Sequence, residues 1–163
     1  MDYAPEYYHK DILVLGCGNI LFGDDGFGNA VADYLNQNYK LPDNMAAIDV
    51  GTSVREIIFN LLLSEKRPKT IILADALQSG RKAGEVFIAK AADVTANKIH
   101  DFSLHMMPTV NMLKEFTELS DSQVIIIAAE PQNAPDEFKE GLSPPMQRAV
   151  REAAEYIMQH YAQ

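Results

Sequence analysis

The chain alternates short apolar runs with stretches of helical periodicity, and this alternation limits its fold more than any other feature. Ile12 to Leu15 is a β-branched and leucine run that ends at Gly16, the mark of a buried strand. After a glycine-rich loop, Phe27, Ala30, Val31, Tyr34 and Leu35 recur at helical spacing until Pro42-Asp43 breaks the pattern. A second strand, Ala46 to Val50, closes at Gly51-Thr52. The helix that follows carries Val54, Ile57, Ile58, Leu61 and Leu62, with Ser53 and Glu56 at the spacing of a capping box. A third strand, Thr70 to Ala74, follows Pro68 and runs into Asp75. Glu85 to Lys90 alternates as an edge or antiparallel strand would. Val110, Leu113 and Phe116 open another helical period, Val124 to Ala129 is the most apolar run, and a last helix covers about 144–161. Residues 1–10 have no period and read as an arm, and 92–104 are polar without an assignable pattern. The pattern predicts a single domain over residues 1–163. Its expected form is a three-layer α/β/α sandwich, a twisted and mostly parallel five-stranded sheet with helices on both faces.

Charge narrows the function classes. With 14 Lys plus Arg against 23 Asp plus Glu, the net charge is −9, the wrong sign for neutralising nucleic-acid phosphates or docking on an anionic membrane. The single cysteine rules out a disulfide framework or a multi-cysteine zinc cage. No apolar run approaches the ~20 residues of a membrane span. Asp2, Glu6, Lys10 and Asp11 leave no signal-peptide apolar segment near the start, so a cytoplasmic protein is expected.

In open α/β sheets, ligands sit outside the carboxyl ends of the strands. There the first strand delivers Cys17, Asn19, Asp24 and Asp25, the second Asp49, the third Asp75 and the last Glu130, while His105 precedes the helix that begins near Val110. Acid clusters are commonly solvated faces, but two of these acids directly follow apolar strand residues, where the chain enters or leaves the core. Gly16-Cys17-Gly18 partly matches a dinucleotide fingerprint, with Asp49 where a ribose-binding acid would stand; Leu21 occupies the third glycine position. Asp24 and Asp25 would also repel a pyrophosphate, at about 1 kcal/mol per charge pair in water and about 4 at an effective dielectric of 20.

A cation suits the loop better. Asp25, Asp75 and His105 form a two-carboxylate, one-imidazole set of the kind that takes Zn, Ni, Fe or Mn. No H-E-x-x-H or C-x-x-C spacing marks a metal site, and a lone His is more often a surface residue than a ligand. Cys17 reads as a small buried hydrophobe or, with His105 in contact, as a nucleophile. Met106, Met107 and Met112 read as packing, and Ser103 lacks the G-x-S-x-G elbow of a serine hydrolase. Two function classes stay open on these residues: an enzyme, and a nucleotide- or metal-sensing binding module with no hydrolytic activity.

The run from Gly16 to Gly28 (GCGNILFGDDGFG) resembles the G-x-G-N-x-L-x-x-D-D/E-x-x-G signature of the [NiFe]-hydrogenase maturation endopeptidases. The resemblance continues through Asp49-Val50-Gly51-Thr52, Ile72 to Ala76, Ser103-Leu104-His105, Glu130-Pro131 and Gly141-Leu142-Ser143, in order, over most of residues 11–160. The Gly-Asp-Asp-Gly-Phe-Gly run is most similar to the branch serving hydrogenases that reduce the deazaflavin coenzyme. The resemblance implies an endopeptidase, grouped with aspartic-type enzymes, that removes a C-terminal peptide from the hydrogenase large-subunit precursor once nickel is inserted. It implies that Asp25, Asp75 and His105 contact that nickel, where many relatives have Glu at the Asp25 position. A resident metal would favour more ligands than one His and two carboxylates, so nickel supplied by the precursor, with no tightly resident cofactor, is expected. Asp25 is then the candidate catalytic residue, and Asn19, Gly51 and Thr52 are candidates for binding the extended peptide.

Overall fold

The computed structural model describes residues 5–90, 110–133 and 137–163. Within them the strands are β1 (Ile12–Cys17), β2 (Met45–Gly51), β3 (Thr70–Ala76), β4 (Val86–Lys90) and β5 (Gln123–Ala129). They form one five-stranded sheet in the order β2-β1-β3-β5-β4. β1 runs parallel to both β2 and β3, and β3 parallel to β5; β4 is antiparallel to β5 and occupies an edge, the role its alternating pattern suggests.

Strand periodicity divides the core into two layers. Leu13, Leu15, Ile71, Leu73, Val124 and Ile126 face Val54, Ile58 and Leu61 of helix α2 (Val54–Leu63) and Leu113 and Phe116 of helix α3 (Val110–Ser120). Val14, Ile72, Ala74 and Ile127 face the opposite way, onto Phe27, Val31 and Leu35 of helix α1 (Phe27–Asn38) and Met146, Ala149, Ala153 and Ile157 of helix α4 (Pro144–Tyr161). Strands covered on both faces lose the polar alternation, which is why β1, β3 and β5 read as continuous apolar runs. The arrangement is the expected α/β/α sandwich.

One local expectation is corrected. Ser53 is the N-cap of α2, but its side chain makes no capping bond, so the Ser53–Glu56 capping box does not form. The turn is held by the backbone instead: Ser53 N–H donates to the Val50 carbonyl at 2.9 Å, and Ile57 N–H to that of Ser53 at 3.1 Å. Glu6–His9 makes a 3₁₀ turn, and Tyr8 is buried against the α2–α3 layer. No helix among the described residues is long and apolar enough to cross a membrane.

Candidate active site

The glycines of the long motif let the turn after β1 lie directly on the strand ends. A Cβ on Gly16 would stand 2.2 Å from the Gly28 carbonyl oxygen, and one on Gly28 would stand 2.0 Å from the Ala74 oxygen and 2.3 Å from that of Cys17. Gly18 has φ 146°, and a Cβ there would meet the Asp25 carbonyl at 1.9 Å. Only residues without a side chain permit this approach. As a result the 3₁₀ turn Gly23–Gly26 is buried over the ends of β1 and β3, carrying Asp24 and Asp25 with it.

These two adjacent acids have different tasks. Asp24 is saturated: Oδ1 accepts from Ser143 N–H at 2.7 Å, and Oδ2 from the Ser143 hydroxyl and Gln132 N–H, each at 2.9 Å. It ties the turn to the exit of β5 and the entry of α4. Asp25, 8% exposed, accepts one bond among the described residues, from Asn19 N–H to Oδ2 at 2.9 Å. Burial raises its pKa against the lowering effect of that bond. Asp75, at the end of β3, is 7% exposed. Burial first and the charge of Asp25 second hold it well above the usual carboxylate range, opposed by the Ala76 N–H. Among the described residues neither acid has a Lys or Arg ion-pair partner. Two coupled, poorly compensated carboxyls are an arrangement relieved by a shared proton or by a bound cation.

The other rim residues sort by their partners. Glu130 accepts from Ser79 N–H at 2.8 Å, the Ser79 hydroxyl at 2.6 Å and Gly80 N–H at 3.3 Å, so it pins the loop between β3 and β4 rather than joining the acid pair. Asn19 reaches the pair through its backbone, while its side-chain oxygen accepts Leu21 N–H at 3.0 Å. Gly51, with φ 53°, accepts Gly18 N–H at 3.0 Å, which sets Gly51 and the exposed Thr52 beside the end of β1. Cys17 is 1% exposed, and its thiol lies 3.4 Å from the Leu15 carbonyl. Burial pushes its pKa well up, and Asp75, Asp49 and Asp25 add to the rise, so the thiolate a nucleophile requires is strongly disfavoured. Ser103 and His105 lie outside the described residues. Among those described, no group of three or more His, Cys, Asp or Glu side chains is placed to hold a metal ion.

Sequence reasoning missed Asn29. It is 4% exposed in the first turn of α1, and its amide donates to Gly18 O at 3.2 Å and to Asp49 Oδ1 at 2.7 Å. Helical periodicity does not report it, because its partners belong to β2 and the turn after β1. The only signal was a polar residue beside Gly28 in an otherwise apolar helix start. The same region argues against a nucleotide: the approach to the N-terminus of α1, where a pyrophosphate would sit, is filled by buried Asp24 and Asp25.

Comparison with known proteins finds relatives of one family. The model of the hydrogenase maturation protease family matches residues 30–160. The coenzyme F420 hydrogenase subunit delta of Methanothermobacter thermautotrophicus is 34% identical, with 93% of this chain and 94% of that protein aligned. The hydrogenase 2 maturation protease of Escherichia coli is 29% identical over 90% of this chain and 88% of its own length. The solved structure of the hydrogenase maturating endopeptidase HybD from E. coli superposes with a TM-score of 0.72 at 25% identity, covering 91% of this chain and 90% of that one.

Proposed function

Given that this chain belongs to the hydrogenase maturation protease family, we propose that it is the endopeptidase that removes a C-terminal peptide from a [NiFe]-hydrogenase large-subunit precursor after nickel insertion. The observation that carries the reading is the pair Asp25–Asp75: two buried carboxyls from separate strand ends, electrostatically coupled and, among the described residues, without a cationic side-chain partner. Such a pair is relieved by a bound divalent cation.

In this reading Asp25, Asp75 and His105 complete the coordination of nickel already held by the precursor, and the metal registers the scissile bond in the cleft. Nickel held there would polarise the scissile carbonyl or activate a water. The water adds to the carbonyl carbon, the C–N bond breaks, and the departing amine takes up a proton. Asp25 is the candidate catalytic carboxylate; burial raises its pKa, and the bond from Asn19 N–H opposes that rise. The Asn19 N–H fixes Asp25 Oδ2, and Gly51 and Thr52 offer backbone and hydroxyl groups to the extended peptide. Cleavage then depends on metal loading, a check that insertion is complete. The similarity to the F420 hydrogenase subunit supports a precursor of a deazaflavin-reducing hydrogenase as the substrate.

The test is incubation of a cognate large-subunit precursor, prepared with and without nickel, followed by intact-mass measurement. Loss of a short C-terminal peptide from the loaded form alone is expected. No loss from either form overturns the proposal, and equal loss from both overturns the metal requirement.

A further inference from the structure

Asn29 closes a ring of hydrogen bonds that joins the ends of β1 and β2. Gly18 N–H donates to Gly51 O at 3.0 Å, and Gly51 N–H donates to Asp49 Oδ1 at 2.9 Å. The Asn29 amide then donates to Asp49 Oδ1 at 2.7 Å and to Gly18 O at 3.2 Å, which completes the circuit. The orientation of the amide is fixed by its partners: both are acceptors, so the NH₂ faces them and the oxygen faces away.

That oxygen is buried and has no hydrogen-bond partner among the described residues. It stands over Gly18, 2.9 Å from where a Cβ would be. A buried acceptor without a partner is a standing loss to the fold, so Asn29 is a poor choice for stability alone. Its contribution is the two N–H donors. One holds Asp49 Oδ1 where it accepts the Gly51 N–H, and the other holds the Gly18 carbonyl; together they keep Gly51 at φ 53° with its carbonyl turned toward Gly18. Asp49 itself is exposed, so without Asn29 solvent competes for its carboxylate.

We infer that Asn29 is a positioning residue for substrate binding: through Asp49 it sets the backbone of Gly51 and Thr52, the segment that receives the extended peptide of the precursor. The inference rests on the proposed peptidase function. It assigns Asn29 no contact with substrate.

The experiment measures steady-state cleavage of nickel-loaded cognate precursor by wild type, Asn29→Leu, Asn29→Asp, and the exchange variant Asn29→Asp/Asp49→Asn. Amide exchange of Gly18 and Gly51 is followed in the same free proteins. Asn29→Leu should raise KM about tenfold, the equivalent of one hydrogen bond's worth of alignment, with kcat held within about twofold. Its Gly51 amide should exchange faster. Asn29→Asp should be worse, since two carboxylates then face each other. The exchange variant should recover part of the KM, because it restores one amide and one carboxylate with their donor and acceptor roles swapped. A merely structural role lowers the active fraction, hence kcat, and leaves KM in place. If wild type cuts and Asn29→Leu matches its KM, or loses only kcat, the inference fails alone. If wild type does not cut loaded precursor, the proposed function fails, and the substrate role of Asn29 with it.

Discussion

Gly28 rests on Ala74: a methyl on Gly28 would come within 2.0 Å of the Ala74 carbonyl oxygen. This contact seats the start of α1 on β3 and brings Asp25 near enough to raise the pKa of Asp75. Gly28→Ala should therefore act on fold and site together. The opposing atoms are backbone, which cannot yield as a flexible side chain does, so a loss of about 3 kcal/mol or more is expected. In a domain of this size that is a fall in Tm of roughly 6–12 °C, measurable by calorimetry. A variant with unchanged Tm would show that the turn is not seated as described.

Asp24 and Asp25 should separate cleanly on substitution. Asp24→Ala removes the acceptor for Ser143 N–H, the Ser143 hydroxyl and Gln132 N–H, and should destabilise by about 3 kcal/mol. Asp25→Ala removes one acceptor and relieves a desolvated charge, so stability should stay within about 1 kcal/mol of wild type while cleavage falls by at least ~10²-fold. Urea unfolding and precursor cleavage, run on both variants, decide it. A fully active Asp25→Ala would remove that residue from the proposed chemistry.

Asp75 should make stability fall with rising pH. Its native pKa is raised by burial and by Asp25, so the native state holds more protons than the unfolded chain at pH values between the ordinary carboxylate value, about 3.9, and the raised one. Stability declines as pH climbs through that window and stays lower above it. Asp75→Asn keeps an acceptor for the Ala76 N–H and removes the charge. It should raise Tm at neutral pH by on the order of a few degrees, flatten the pH profile of Tm, and abolish cleavage. A lower Tm at pH 7 would contradict the description of Asp75 as a poorly compensated buried acid.

Cys17 should be inert. Its burial and the neighbouring acids disfavour the thiolate, so iodoacetamide at pH 8 should label it only after unfolding. Cys17→Ala should cost about 1 kcal/mol and leave kcat within about twofold. Rapid labelling of the native chain, or loss of cleavage without loss of fold, would return the thiol to consideration as a nucleophile.

Much of the fold was legible because its signals are local. The run Ile12 to Leu15 lies within β1, the spacing of Phe27, Val31 and Leu35 marks α1, and the alternation from Glu85 to Lys90 marks the antiparallel edge strand β4. The Ser53–Glu56 pair failed as a signal because backbone bonds already satisfied that turn. Asp25 and Asp75 were legible as candidates because strand ends in this architecture converge on one rim. Their coupling was not, since it depends on how closely Gly28 lets α1 approach β3.

Side-chain periodicity is a property of neighbours along the chain, and it was enough to set the order of strands and helices, the apolar faces they bury, and which acids stand at strand ends. What each acid does had to wait for the packed layers. Asp24 is spoken for by Ser143, 119 residues away, and Glu130 by Ser79, 51 residues away, while Asp25 keeps one bond among the described residues and a buried carboxyl. A carboxyl's role follows from which donors reach it and how much water is left around it, and both are set when the layers close.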